Sequence, residues 1–518
     1  MNVQSFLEHH DLTAHPFDAE EARLDPIFDR LINARITHPA FGKILGRIDQ
    51  PATAIVFGEK GSGKTAIRLM MGTAIARHND EHPDRRVLSI AYDDLNPLLD
   101  ALLRHQKQDT DAVLENFRLE DHQDGILALG VTRLIDAVLD PEAQEQKTDP
   151  IRLPEPTDKT LRKLPKQKKR DLAVLAALYD QPRTGSSVER FGKLRSRLRL
   201  RRRLPAAWFR YLATLLTILA VAAGLGKWIV AADKEPLWLV PLTAVLIAGA
   251  ALSWGWWAWL GGSLWTRCRR TTRAMPGIAR TVGELRSMLG QIDPGELARQ
   301  PLPQPHESPQ AVRDARYQLT RRFVDVLGEL GYAGVIVMVD RIDEPTAIGG
   351  EAHRMKAVVW PMLDNKFLKQ DRIGLKLLLP IELRHLLARE SAQFFQEARL
   401  DKQNLIDRLE WSGTTLYDLC NRRIEACRGT AARESAPQPA SLRDLFEPAV
   451  TRDLLVDALD QMHQPRDAFK FLYQVIQEHC QITGDDQDSY RIARLTLESV
   501  RRSQSQRVQD LHRGLSPS

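Results

Sequence analysis

A chain of 518 residues is too long for one ordinary hydrophobic core, so more than one structural unit is expected. Its 43% hydrophobic and 27% charged residues place it among globular proteins and exclude a low-complexity or disordered one. A net charge of +6 excludes neither nucleic acid nor a membrane surface as partner, and where the charge sits matters more than its total.

In chain order, residues 1–50 read as an N-terminal helical segment. The start, Met1 to His10, has no basic region followed by a long apolar run, so no cleaved signal peptide is read. Thr53 to Phe57 is an apolar run that predicts a buried strand. It leads into Gly58-Glu-Lys-Gly-Ser-Gly-Lys-Thr65, which fits G-x-x-x-x-G-K-[ST], and a helix is predicted from Thr65 to Ala76. Such a turn aims backbone N–H groups and a helix N-terminus at one point, which is a cradle for phosphate. ATP with Mg²⁺ is therefore the expected ligand. Gly58, Glu59, Lys60, Gly61, Ser62, Gly63, Lys64, Thr65 and Ala66 form the cradle. Lys64 reaches the β- and γ-phosphates, and the Thr65 hydroxyl ligates Mg²⁺.

Arg86 to Tyr92 predicts a second strand, ending at Asp93-Asp94. Residues 96–205 read as a helical insertion. Within it, the basic run Lys159 to Arg170 precedes an apolar helical segment, Asp171 to Tyr179. Attraction to anionic lipid, contact with nucleic acid and a plain solvated face all account for such a run.

Residues 206–265 read as a transmembrane hairpin. Ala206 to Ala231 and Pro236 to Trp265 are apolar stretches joined by the polar turn Asp233-Lys-Glu235. Arg210 and Lys227 lie near the ends of the first stretch, where long basic side chains can snorkel. Of 10 tryptophans, only Trp360 and Trp411 lie outside this region, and indole favours the membrane interface. Arginine clusters flank the hairpin, from Lys193 to Arg203 and from Arg267 to Arg273. The positive-inside rule then predicts a multi-pass protein of the inner membrane with both termini and the bulk of the chain cytoplasmic.

Residues 266–308 read as a juxtamembrane helix and a Pro-rich linker, Pro301 to Pro309. A helix from Gln310 to Leu330 leads into Val335-Ile-Val-Met-Val-Asp340-Arg-Ile-Asp343-Glu344. The apolar residues predict a strand buried on both faces, with carboxylates at its C-terminal end, where open α/β sheets bind ligands. Asp340 is the expected Mg²⁺-side carboxylate; Glu344, or alternatively Asp343, orients or deprotonates the attacking water. A helix is predicted over Glu351 to Leu368, a strand at Gly374 to Leu379 and another near Asn404 to Trp411. Residues 412–518 read as all helix, with Ser441 and Thr451 as N-caps and Pro465 opening a helix that carries Arg466. Four cysteines, Cys268, Cys420, Cys427 and Cys480, show no paired metal-ligand spacing and read as packing residues in a reducing compartment.

Together these motifs resemble the additional-strand division of P-loop NTPases, in particular the STAND, AAA+ and KAP groups. Asp340-Arg-Ile-Asp343-Glu344 is similar to the STAND acidic motif, with Arg341 where a small residue is usual. Transmembrane helices between the glycine loop and the acidic strand resemble the KAP arrangement, although an Asp-Asp-rich acidic motif is absent. Pro465-Arg466 is similar to the sensor-2 arginine of AAA+ proteins, which implies that Arg466 reports on the γ-phosphate. The strand ending at Leu379 is followed by Pro380, Glu382 and Arg384 in place of the usual polar sensor, and Arg384, Arg399 and Arg408 are alternatives for an arginine finger.

The expected fold is thus α/β. A P-loop NTPase core with a parallel sheet is split into residues 51–95 and 309–411, with an inserted two-helix hairpin and a C-terminal helical lid. The expected function is a membrane-anchored ATPase acting as a regulated switch or motor on a protein partner that the residues do not identify, alone or as an oligomer. A nucleic-acid-handling ATPase tethered to the membrane and a nucleotide-binding scaffold with little turnover are the alternatives.

Overall fold

The computed structural model describes residues 1–19, 21–33, 38–106, 109–145, 149–200, 205–230, 239–305, 308–429, 441–483 and 489–512. The chain divides into two compact units, one formed by Met1–Leu95 with Ala333–Ser518 and the other by Asn96–Tyr332. The helix Pro309–Glu329, read from sequence as the start of the returning core, therefore lies in the second unit.

A single parallel sheet organises the first unit. Its strands are β1 (Ala54–Gly58), β2 (Arg86–Tyr92), β3 (Tyr332–Val339), β4 (Ile373–Pro380) and β5 (Asn404–Ile406), in the order β2-β3-β4-β1-β5. Every residue of β1 and β4 is buried, which explains why β1 reads as an unbroken apolar run and β4 as one broken only by Lys376, rather than as alternating patterns. The register pairs Gly58 with Pro380 and Val339 with Leu377, so the C-terminal ends of β1, β3 and β4 open on one edge. The helix Lys64–Glu81 covers a face of the sheet, burying Ile67, Met71 and Ile75 against Val56, Ile336 and Leu378. Lys376 interrupts β4 without breaking it. Its Nζ donates to the carbonyls of Ile44, Leu45 and Ala52 at 2.7, 2.9 and 2.7 Å, satisfying all three protons of a fully buried ammonium. Burial still lowers its pKa to about 8.

Two predicted elements differ. β5 stops at Ile406, short of Trp411. The helix expected over Glu351 to Leu368 is split into Ala352–Val359, a tight turn at Trp360–Met362 and Asn365–Leu368, because Pro361 cannot continue the hydrogen-bond ladder.

The C-terminal helices Gly413–Cys427, Arg452–Asp460, Pro465–Ile482 and Arg494–His512 share one core with the N-terminal arm. Phe6, Leu7, Leu12, Phe17, Ile27 and Leu31 pack among Tyr417, Ile424, Phe471 and Val475. Residues 1–31 are thus not a segment by themselves but part of the helical layer. Thr451 caps its helix by accepting from the Leu454 N–H at 3.3 Å.

The second unit is helical. Its interior is closed around Arg316, whose guanidinium meets Asp124 at 2.8 Å, and Tyr179, whose hydroxyl donates to Asp124 Oδ1 at 2.9 Å. Two long helices, Pro205–Val230 and Leu239–Ala274, are long and apolar enough to cross a membrane. They pack on each other through Gly249 against Leu216, and Trp254 Nε1 donates to Thr217 Oγ1 at 3.2 Å. Most of their apolar side chains face outward, among them Trp208, Ile218, Val245, Leu252 and Trp259. The second helix, 36 residues and about 54 Å long, exceeds a bilayer core and carries Arg267, Arg269, Arg270 and Arg273 in its last turns. The predicted turn at Asp233–Glu235 and the basic residues Arg201 to Arg203 lie outside the described residues. Part of the Lys159–Arg170 run is engaged within the unit, Lys168 with Asp325 at 3.0 Å and Arg170 with Glu296.

Candidate functional site

The loop between β1 and the helix Lys64–Glu81 is shaped by two left-handed glycines. Gly61 has φ 101° and Gly63 has φ 92°, conformations that side chains with a Cβ rarely adopt. A Cβ on Gly61 would also stand 2.9 Å from Gln464 Oε1 and 3.0 Å from Arg466 Cβ, so the loop runs directly beneath the start of the helix Pro465–Ile482. The loop is closed on itself. Lys64 Nζ donates to the carbonyls of Gly58 at 2.7 Å and Glu59 at 2.9 Å, and Ser62 Oγ donates to Glu59 O at 2.8 Å.

The carboxylates that follow β3 reach the same edge of the sheet. Asp340, 1% exposed, accepts from Thr65 Oγ1 at 2.9 Å and from Arg68 Nε at 3.2 Å, both at Oδ2. Arg68 also pairs with Asp93 at 3.1 Å, so the end of β2 contributes as well. Burial raises the Asp340 pKa, and the Arg68 charge and the Thr65 hydroxyl oppose that shift. Burial likewise lowers the pKa of Lys64, against the pull of Asp340, Asp343 and Glu382. Arg341 takes a left-handed turn, φ 60°, and its guanidinium forms an ion pair with Glu344.

Lys60, Gly61, Gly63, Lys64, Thr65, Ala66, Asp340, Asp343, Glu344 and Arg466 line one cavity of about 630 Å³. Its other walls include Phe28 and Leu31 from the N-terminal arm, Met355, Glu382, Trp411 and Phe469. Arg466 Nε is buried with no partner among the described residues. The remaining loop residues named from the sequence do not share this wall. Glu59 and Ser62 line a separate hollow of about 380 Å³ with Arg408 and Gln464. There Glu59 forms an ion pair with Arg408 and accepts from Gln464 Nε2 at 2.7 Å.

Several residues at the site were not singled out from the sequence. Arg68 is one helical turn beyond Thr65, a spacing that puts both on one face. Trp411 Nε1 donates to Ser62 O at 2.8 Å, and the signal for it was its isolation from the other tryptophans. His38 holds that indole edge-on, its Nε2 bonded to Glu410 O at 2.7 Å while Nδ1 accepts from Ala40 N at 3.0 Å. Glu382 enters the sequence reading only in place of a polar sensor, and Arg423 and the apolar side chains of the N-terminal arm carry no local signal.

Chemically, the cavity lining mixes cationic, acidic and apolar groups. Lys64, Arg466 and the N-terminus of an 18-residue helix supply positive charge, and Phe28, Leu31 and Phe469 supply apolar surface. Its volume is that of a small-molecule site. Mg²⁺ is compatible with the donors present, because it needs few carboxylates when phosphate and water supply the other ligands. Thr65 and Asp340 are already within hydrogen-bond distance, and no cluster of three or more His, Cys, Asp or Glu side chains is present among the described residues. Compared with known proteins, the chain matches no family model, no curated protein and no solved structure.

Proposed function

We propose that the first unit binds ATP with Mg²⁺ and hydrolyses it, and that the apolar helix pair anchors the protein in the inner membrane with the first unit in the cytoplasm. The observation that carries this reading is the convergence of Lys64, Thr65, Asp340 and Arg466 on one cavity beneath a glycine loop. The strand order supports it: β4 lies between the glycine-loop strand β1 and the acidic strand β3, which is the additional strand of that division of P-loop NTPases. The arginine clusters at the ends of the helix pair support the orientation.

In this reading the triphosphate lies along the loop N–H groups, and Lys64 leaves the Gly58 and Glu59 carbonyls to meet it. Mg²⁺, held by Thr65 and Asp340, supplies charge neutralisation at the phosphates when bound. The base faces the apolar wall from Phe28, Leu31 and Phe469. Arg466, with a buried Nε lacking a partner, meets the far end of the phosphate chain and couples its occupancy to the helical layer. Asp343 or Glu344 orients the attacking water.

ATP binding and turnover by the detergent-purified protein test the proposal. Lys64→Ala abolishes both, and Glu344→Gln keeps binding while turnover falls by about 10²-fold or more. Equal rates for wild type and Lys64→Ala would sink the enzymatic reading. The Arg341–Glu344 ion pair favours a second reading, a nucleotide-binding scaffold with little turnover, because it holds the candidate base. Arg341→Ala separates the two: turnover rises if the pair restrains Glu344, and stays near zero in a scaffold.

A further inference from the structure

The second unit contains a hollow of about 520 Å³ with a composition unlike the first. Lys166, Lys169, Arg170, Arg195 and Arg199 line it against only two carboxylates, Asp293 and Glu296. Glu296 pairs with Arg170, and Asp293 Oδ1 accepts from the Gly295 N–H at 3.0 Å, so the lining keeps an excess of positive charge. The cations come from separate elements, the helix Lys166–Tyr179 and the end of the helix Ser187–Arg197 with the residues after it. Gathering five cations against two carboxylates costs Coulomb energy. Lys169 registers that cost, its pKa lowered by burial and by the neighbouring charge of Arg199.

The position of the hollow is as informative as its charge. Its floor includes Gln291 and Ile292, and the adjoining Gly290 packs against Leu264 of the second apolar helix. Leu264 is where that helix changes character. Trp265 follows, with Arg269 stacked on its ring at 5.1 Å, and then the other arginines. Arg199, which also lines the hollow, shortly precedes the start of the first apolar helix at Pro205. The hollow therefore sits at the level where apolar helix gives way to basic residues, which is the level of lipid headgroups if the pair spans a membrane.

We propose that this hollow binds a phosphate-bearing headgroup, drawn either from an anionic lipid or from a soluble phosphate. The lipid source rests on the membrane part of the reading above, but the site itself does not depend on ATP binding. A phosphate group balances the excess positive charge and accepts charge-assisted hydrogen bonds from guanidinium and ammonium groups together.

The test titrates the full-length, detergent-purified protein with dioctanoyl phosphatidylglycerol, dioctanoyl phosphatidylcholine and inorganic phosphate. Lys166 and Arg199 are exposed, so Lys166→Gln/Arg199→Gln changes the rim without disturbing the core. Phosphatidylglycerol binds the wild type, and the double variant weakens it by about ten-fold or more, while phosphatidylcholine does not bind. Arg501→Gln/Arg502→Gln removes the same charge from another helix and leaves binding unchanged. If inorganic phosphate binds as tightly as phosphatidylglycerol and shows the same loss in the double variant, the site stands and its ligand is soluble. Equal binding of phosphatidylcholine, equal binding by the rim variant, or equal loss in the Arg501/Arg502 control overturns the proposal. Failure of ATP binding with intact phosphatidylglycerol binding would count against the nucleotide reading alone.

Discussion

Two buried arginine–aspartate pairs, Arg316–Asp124 in the second unit and Arg68–Asp340 in the first, differ in what surrounds them. In the second unit Arg316 grips Asp124 through Nε and Nη2, and its remaining donors reach the carbonyls of Ala274 and Val312. Tyr179 completes the carboxylate. In the first unit Arg68 meets Asp340 through Nε alone, Thr65 shares the same oxygen, and Arg68 Nη2 has an ionic partner in Asp93 but no aligned hydrogen bond. Burial raises the pKa of both aspartates, and the arginine opposes it in each case. Burial and charge therefore do not distinguish a scaffold from a site. The distinction is geometric: one network is closed, and the other is left open on a cavity.

The largest expected effect breaks the closed pair. Arg316→Met leaves Asp124 buried without its counter-charge and costs about 3–5 kcal/mol. Hydrogen exchange should quicken across Leu119–Leu139 and Pro309–Glu329. A loss below about 1 kcal/mol would mean that the network is not closed to water. The open pair should be cheaper to break. Arg68→Met costs about 1–2 kcal/mol, since Asp340 keeps Thr65 and faces a cavity that admits water. Denaturant unfolding with and without ATP and Mg²⁺ checks this, and a cost equal to that of Arg316→Met would erase the contrast.

The smallest effect sharpens the same point at His15, which has a buried Nε2 without a partner while Nδ1 accepts from the Phe17 N–H at 3.1 Å. Burial lowers its pKa from 6.5 to about 4. Between those values the unfolded chain takes up the proton and the folded one does not. The stability His15 contributes is thus present above pH 6.5 and lost as pH falls towards 4. His15→Gln, which can still accept from Phe17, should flatten the fall in unfolding free energy between neutral pH and about pH 5.5 by on the order of 1 kcal/mol. Identical pH profiles for both proteins would show that His15 is hydrated in the folded state.

How far the sequence could be read depended on the range of each signal. β1, the glycine loop and the helix after it lie next to one another in the chain, and each follows from local pattern. The apolar helices were equally legible, because length and hydropathy are local properties. Reading failed where a partner is remote. Residues 1–31 look like a free-standing segment, yet their apolar side chains complete a core whose other members begin at Leu416. Glu59 belongs to the glycine-loop pattern, but Arg408 and Gln464 turn it to another hollow. Pro309–Glu329 has the period of any amphipathic helix, and only its remote partners, among them Asp124 with Arg316 and Lys168 with Asp325, assign it to the second unit.

The sequence by itself determined the elements that repeat or punctuate over a few residues: the Gly58–Thr65 turn, the apolar run ending at Asp340 and two stretches apolar enough to cross a membrane. Tertiary structure alone decided that Lys64 holds its own loop carbonyls, that Glu344 pairs with Arg341, and that five cations gather around one hollow. Period and propensity register whether a side chain faces in or out. Which distant group it then meets depends on packing and electrostatics, which become definite only once the chain is closed.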